Sequence, residues 1–200
     1  RRRGPAVDGR EAQAGDGRPA SGTAQEFTVV PAERVFPLPS GAGFDVGASV
    51  GIPAITAHRA LTVGEDSPDR LAPDALADRT ILVAGGAGAV GNAAIQLARW
   101  AGAEVIATVS QEAKARLARA AGAHHVVNYR DADAAEQIRA IAPGGVDRII
   151  EVNLASNLGL DLAVAAPHAS IVTYAADARK PELSVRELMV RNLVLRFMLL

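Results

Sequence analysis

The sequence predicts an α/β fold, a doubly wound parallel sheet preceded by part of a β-rich domain. From residue 80 onward, short runs that are apolar throughout alternate with helix-like stretches of about ten residues. Strands apolar on both faces and separated by helices form parallel sheets with right-handed crossovers. The first such run leads directly into a glycine-rich turn. Upstream, residues 22–66 carry short β-prone runs punctuated by Pro and Gly.

Each element follows in order. Residues 1–21 mix Arg, Gly, Pro and Asp without apolar periodicity, so they bury too little surface to offset the entropy of ordering and read as a flexible tail. Three leading arginines suggest an export signal or a basic arm. No apolar stretch follows them, however, and Asp8, Glu11 and Asp16 dilute the charge. A chain starting at Arg1 rather than Met suggests a processed, trimmed or misread product. In residues 22–66 the runs FTVV and RVFPLP read as the end of a β-rich domain, followed by a more helical AITAHRAL. Residues 67–79, rich in Pro and Asp, read as a linker.

Residues 80–200 then read as the cofactor-scale domain. The strand TILVA spans 80–84 and a close-packed helix 92–101, with Ala93, Ile95, Leu97, Ala98 and Trp100 on it. The strand EVIATV, 104–109, precedes a helix capped by Ser110, with Leu117 and Ala121 four apart on one face, and Gly122 stops it. Strands HVVN (125–128), VDRIIEV (146–152) and SIVTYA (170–175) alternate with helices near 132–141 and 157–166. A helix near 184–190 and a strand at 193–199 bring the strands to six.

Composition narrows the function classes. The 200 residues are 49% hydrophobic and 22% charged, as expected of a globular chain with one good core and part of a second. A net charge of -1, from 21 Lys and Arg against 22 Asp and Glu, provides no field for nucleic acid or an anionic membrane. Any phosphate contact must be local. Cys 0 rules out disulfides and cysteine-ligated zinc in this chain and fits a cytoplasmic, reducing compartment. No apolar run reaches the roughly 20 residues of a membrane span.

Gly86, Gly88 and Gly91 in AGGAGAVGNAA satisfy G-x-G-x-x-G between a strand and a helix, the arrangement of a Rossmann dinucleotide site. The first glycine is expected to permit the tight turn, the second to let the backbone approach a pyrophosphate, and the third to seat the helix on the sheet. Free N–H groups and a partial positive charge at the helix start favour phosphate. An NAD site carries a carboxylate at the tip of the second strand. Here the tip reads Thr108, Val109, Ser110, while Glu104 sits at the opposite end of that strand and Glu112 lies in the next helix.

Lys114, four residues after Ser110, sits where it can pair with a 2′-phosphate that Ser110 hydrogen-bonds. The two together favour NADPH. Equally, Ser110 reads as a plain cap, Lys114 as a solvated helix face, and Tyr129 either as a stacking partner of adenosine or as loop closure. The four histidines lack metal-ligand spacing, and His124 and His125 are expected on opposite faces of a strand. No metal site is expected.

The strings GIPAITAHRAL, GGAGAVG, GAHHVVNYRD and VDRIIEVNLASNL, in this order and spacing, resemble the zinc-free quinone oxidoreductases, the ζ-crystallin-like proteins of the medium-chain dehydrogenase/reductase superfamily. The resemblance covers about residues 22–200. It implies NADPH as cofactor, with Gly88, Ala89, Val90 and Gly91 along the pyrophosphate and Ser110, Lys114 and Tyr129 around the 2′-phosphate and adenine ribose. It places Thr56 near the nicotinamide and Asn153 to Ala155 at the border of the crevice; Asn153 also reads as a cap of the following segment. By the same resemblance residues 22–66 are the final portion of a GroES-like catalytic domain that is longer in family members.

The implied activity is hydride transfer to a quinone or an activated alkene or carbonyl, with a small-molecule acceptor as partner. The cofactor supplies the difficult chemistry and the protein supplies orientation. A reduced quinone oxygen takes its proton from water, so no catalytic residue is nominated. Two competing readings are a catalytically silent NADPH-binding chain and an oligomerisation module, a homodimer pairing through the apolar last strand NLVLRFMLL.

Overall fold

The computed structural model describes residues 26–177 and 179–199. The expected tail, residues 1–21, lies outside the described residues. The chain divides into two units, Arg1–Ala42 and Gly43–Leu200.

In the first unit the described residues form one short 3-10 turn, Ala32–Arg34, with nothing buried. The expected runs FTVV and RVFPLP form no strand there. Pro31, Pro37 and Pro39 each lack an N–H, and an isolated strand without a partner to complete its ladder is not stable.

The second unit begins with α1 (Phe44–Thr62), which contains the expected helical AITAHRAL and starts ten residues ahead of it. The helix departs from helical geometry at Gly51, φ -49° and ψ -106°. Pro53 explains this, because its ring disfavours helix in the preceding turn. Thr56, Ala57, Ala60 and Leu61 are buried on its inner face, which packs along α2 and against the sheet.

The remaining elements match the expected alternation. They run β1 (Thr80–Val83), α2 (Ala89–Trp100), β2 (Glu104–Val109), α3 (Glu112–Ala120), β3 (His125–Asn128), α4 (Ala134–Ile141), β4 (Val146–Glu151), α5 (Leu154–Val164), β5 (Ala165–Thr173), α6 (Val185–Arg191) and β6 (Val194–Phe197). The six strands are parallel in the order β3-β2-β1-β4-β5-β6.

Strand periodicity divides the interior into two cores. Ile81, Val83, Val105, Ala107, Ile150 and Val172 face Ala57, Leu61, Ile95, Ala98 and Ala118 of α1, α2 and α3. Leu82, Ile106, Val127, Ile149 and Ile171 face Ile138, Leu154 and Leu158 of α4 and α5. The doubly wound prediction therefore holds in detail, since neighbouring residues of one strand point to opposite layers.

Some local readings differ. In α3 the buried face is Ala115 and Ala118, while Leu117 is exposed; Trp100 is also exposed. Small residues let both helices approach the sheet more closely than a Leu or Trp face allows. His124 and His125 both reach Glu104, at 3.7 and 2.8 Å, rather than pointing apart. β3 starts only at His125, so His124 belongs to the preceding turn, where its Nδ1 accepts from Val105 N at 3.0 Å.

A buried polar cluster ties the segment after α1 to the sheet. Arg148, 4% exposed, donates to the carbonyls of Ala60 and Val63 at 3.0 and 3.2 Å and to Asp66 at 2.7 Å. Asp66 also accepts from Ser170 at 2.6 Å and Arg196 at 3.1 Å. These bonds outweigh the partial burial of Asp66 and hold its carboxyl below the usual range. No helix among the described residues is long and apolar enough to cross a membrane.

Candidate functional site

The strand order reverses at β1, from which the chain winds outward to β3 and then returns on the other side as β4. Ligands of open α/β sheets bind outside the carboxyl ends of the strands at such a switch point. A cleft of about 740 Å³ lies there. It is lined from the turn after β1 by Gly85 and residues 87–90, from β2 by Thr108, Val109 and Ser110, and by Lys114 and Tyr129. Beyond β4 and β5 its walls are Val152, Asn153, Ser156, Asn157, Tyr174 and Arg179.

The glycine turn has a division of labour different from the expected one. Gly85, not Gly86, takes the positive φ of the turn, +69°. A Cβ on Gly86 would meet Ala107 Cβ at 2.8 Å and Ile95 Cδ1 at 2.9 Å, so this glycine lets the turn lie on β2 and α2. A Cβ on Gly91 would lie 2.4 Å from Gly85 O, and its absence lets α2 start directly against the turn. Gly86 N donates to Thr108 O and Gly88 N to Gly85 O, at 3.0 and 2.9 Å.

Because Asn92 N makes the first bond back to Gly88 O, at 2.8 Å, the N–H groups of Ala89, Val90 and Gly91 precede the helical ladder. The helix has no acidic residue in its first turn and Gly88 offers no side-chain cap. Bare N–H groups beside a glycine cradle fit a diphosphate, with the positive end of the helix dipole toward it.

Of the residues singled out from sequence, Gly88, Ala89, Val90, Ser110, Lys114, Tyr129 and Asn153 come together around this cleft. Gly86 and Gly91 are buried beneath it. Thr56 stands apart from it: buried at 5% exposure in α1, its hydroxyl donates back to Ile52 O at 2.6 Å. The helical spacing around Pro53 turns that side chain inward.

The N-cap of α3 is Gln111 rather than Ser110, and Ser110 makes no cap bond there. The hydroxyl thus stands at the cleft, on a residue 8% exposed. Lys114 is exposed one helical turn on and has no ion-pair partner among the described residues. Asn153 serves as both cap and wall: its side chain accepts from Ser156 N at 3.3 Å and donates to Asp177 at 3.2 Å.

Sequence reading placed Thr108 at the tip of the second strand without a binding role, and assigned none to Asn157, Tyr174 or Arg179. Thr108 Oγ1 accepts from Gly85 N at 3.4 Å, and Arg179 pairs with Asp177 at 3.0 Å. It also passed over Glu151, fully buried, with one oxygen accepting from Asn153 N and from Asn157 Nδ2. Burial and the charge of Glu151 push the Tyr174 hydroxyl up to about 12. The available signal was position alone: Thr108, Glu151 and Tyr174 lie at or just past strand carboxyl ends, and Asn157 and Arg179 lie in the segments that follow β4 and β5.

The family model for zinc-binding dehydrogenases matches residues 89–199, more than half of the chain. The chain belongs to this family. Quinone oxidoreductase of Mus musculus is 36% identical over 145 residues, 71% of this chain and 41% of that protein. A crystal structure of an NAD-dependent alcohol dehydrogenase superposes with a TM-score of 0.79 at 26% identity, covering 90% of this chain and 50% of the other. A mycobacterial protein solved with NADPH superposes with a TM-score of 0.69 at 28% identity, over 80% of this chain and 48% of that one. The chain therefore spans about half the length of these relatives or less, and the likeness to quinone oxidoreductases read from sequence is borne out.

The family's descriptive name carries a metal that these residues do not fit. The sequence has no cysteine, and among the described residues no group of three or more His, Asp or Glu is placed to hold an ion. No step is assigned to zinc in this chain.

Proposed function

We propose that this chain is the cofactor-binding part of an NADPH-dependent oxidoreductase that reduces a quinone or an activated alkene or carbonyl. The observation that carries the reading is the convergence of Ser110, Lys114 and Tyr129 at the far end of the cleft whose middle is the glycine cradle. NADPH, when bound, supplies a hydride to the acceptor. Gly88 and the N–H groups of Ala89, Val90 and Gly91 hold the diphosphate, and Ser110 and Lys114 hold the 2′-phosphate. Tyr129 covers the adenosine side. Val152, Asn153 and Tyr174, beyond the switch point, receive the nicotinamide half and help keep it dry.

The solved relatives differ between NAD and NADPH, so the choice of NADPH rests on these side chains. In the described structure no carboxylate lines the β2 end of the cleft, where one would repel a 2′-phosphate. The assignment of residues 22–66 to a catalytic domain is carried by the resemblance. Zero cysteines favour the cytoplasm. A homodimer through edge strand β6, where Phe197 is 70% exposed, is consistent with the strand order.

Titration of the chain with NADPH and NADH, followed by nicotinamide fluorescence and thermal stability, tests the reading. NADPH-selective binding with quinone-dependent oxidation supports it. Selective binding without turnover of any acceptor leaves a silent dinucleotide-binding chain, and no binding overturns it.

A further inference from the structure

Behind the nicotinamide side of the cleft lie two acids that the hydride-transfer reading does not use. Glu151 ends β4 and Asp161 lies two turns into α5; they are 0% and 1% exposed. Each carboxyl lies close enough to the other to raise or lower its affinity for a proton. One oxygen of Glu151 is satisfied by Asn153 N and Asn157 Nδ2. The remaining Glu151 Oε2, and Asp161 Oδ2, have no hydrogen-bond partner among the described residues.

Two buried acceptors on neighbouring carboxyls, each without a donor, are costly unless a proton is shared between them. Both ionised would leave two like charges in the interior without a cation; both protonated would leave Glu151 with a surplus donor beside the donors of Asn153 and Asn157. One shared proton gives both orphaned oxygens a partner.

We propose that Glu151 and Asp161 share a single proton and carry one negative charge that sets the preference of the cleft between oxidised and reduced dinucleotide. This rests on the reading that a nicotinamide dinucleotide occupies the cleft with its nicotinamide on the β4–β5 side. Asn153, Asn157 and Tyr174 line that side, and the first two are bonded to Glu151. The charge therefore lies one layer of side chains from the ring.

Burial and the charge of Glu151 raise the Asp161 carboxyl well above its usual range, which makes Asp161 the member that keeps the proton. Tyr174 shares the environment: burial and Glu151 raise its hydroxyl, keeping it neutral. The oxidised nicotinamide ring is a cation and the reduced ring is neutral, so one buried negative charge favours NADP+ selectively. At an effective dielectric of about 20 and a separation of roughly 10 Å, the preference is on the order of tenfold. Glu151 and Asp161 act here as positioning and electrostatic residues, since neither reaches the cleft itself.

Substitution separates the charge states. In Asp161→Asn the new amide donates to a charged Glu151, and in Glu151→Gln it donates to a charged Asp161, so each single variant keeps one negative charge. The double variant keeps none. The experiment measures dissociation constants of NADP+ and NADPH for the unaltered chain and all three variants, with infrared difference spectra of the carboxyl region. The expected result is a ratio of the two constants within about threefold of the unaltered chain for both singles, and a shift of roughly tenfold against NADP+ in the double. A protonated-carboxyl band at neutral pH should be lost in each single variant.

An unchanged ratio in a folded double variant overturns the proposal, as does a ratio shifted in the singles. If the double variant does not fold, the infrared spectra decide, and absence of the protonated band in the unaltered chain overturns it. Failure of the unaltered chain to bind either dinucleotide is a distinct result that overturns the dinucleotide reading and this inference with it.

Discussion

Replacing Lys114 with alanine removes the one cation among the described residues that lines the β2 end of the cleft beside Ser110. Lys114 lies on the outer face of α3, whose inner face is Ala115 and Ala118, so the substitution leaves the core intact and favours helix. A 2′-phosphate carries nearly two negative charges. At about 4 Å in a water-like dielectric its attraction to an ammonium is on the order of 2 kcal/mol. Fixing the long side chain costs about 1 kcal/mol and salt screens part of the remainder. The net loss is at most about 1 kcal/mol, or roughly threefold to fivefold in the NADPH dissociation constant. NADH lacks the phosphate and should change by less than about twofold. Fluorescence titrations of both dinucleotides at low and physiological ionic strength check this, and the salt dependence of NADPH binding should flatten in the variant. Equal weakening of NADPH and NADH would refute the phosphate assignment.

Three further outcomes are expected. Gly91→Ala forces a methyl group to within 2.4 Å of Gly85 O; thermal unfolding should show a loss of about 3 kcal/mol, and dinucleotide binding should fall with it. Asp66→Ala leaves Arg148, 4% exposed, without its carboxylate. Two backbone carbonyls still hold it and Asp66 is itself partly exposed, so urea unfolding should show a loss of about 2 to 3 kcal/mol, at the low end for a broken buried pair. Burial and Glu151 raise Asp161 above its model-compound value of 3.8, so folding takes up a proton. Its contribution is fully present below that value and is lost as pH rises through the raised folded one. Urea midpoints should therefore fall over that window, and Asp161→Asn should flatten the profile; an unchanged slope would place the proton elsewhere.

The parallel sheet was legible because every strand of the second unit is apolar on both faces and every crossover carries its own helix. The cradle was legible because its glycines have spacing and context, although Gly85 bears the positive φ expected of Gly86. Three features were not legible, for a shared reason. Leu117 and Trp100 read as core by type, yet close approach to the sheet selected Ala115, Ala118, Ala94 and Ala98 instead. Arg148 and Asp66 lie 82 residues apart and meet only once α1 has packed on the sheet.

Glu151 and Asp161 fall within the runs VDRIIEV and GLDLAV, read as a strand and a helix from their apolar positions, and nothing local marks the two acids as paired. Local pattern encodes which face of an element is buried; it does not encode which buried polar groups meet across elements. In this chain the backbone of the site comes from local pattern, through the glycine turn and the start of α2. Its electrostatics come from tertiary pairing, which is why the Glu151–Asp161 charge belongs to the second unit as folded rather than to any motif within it.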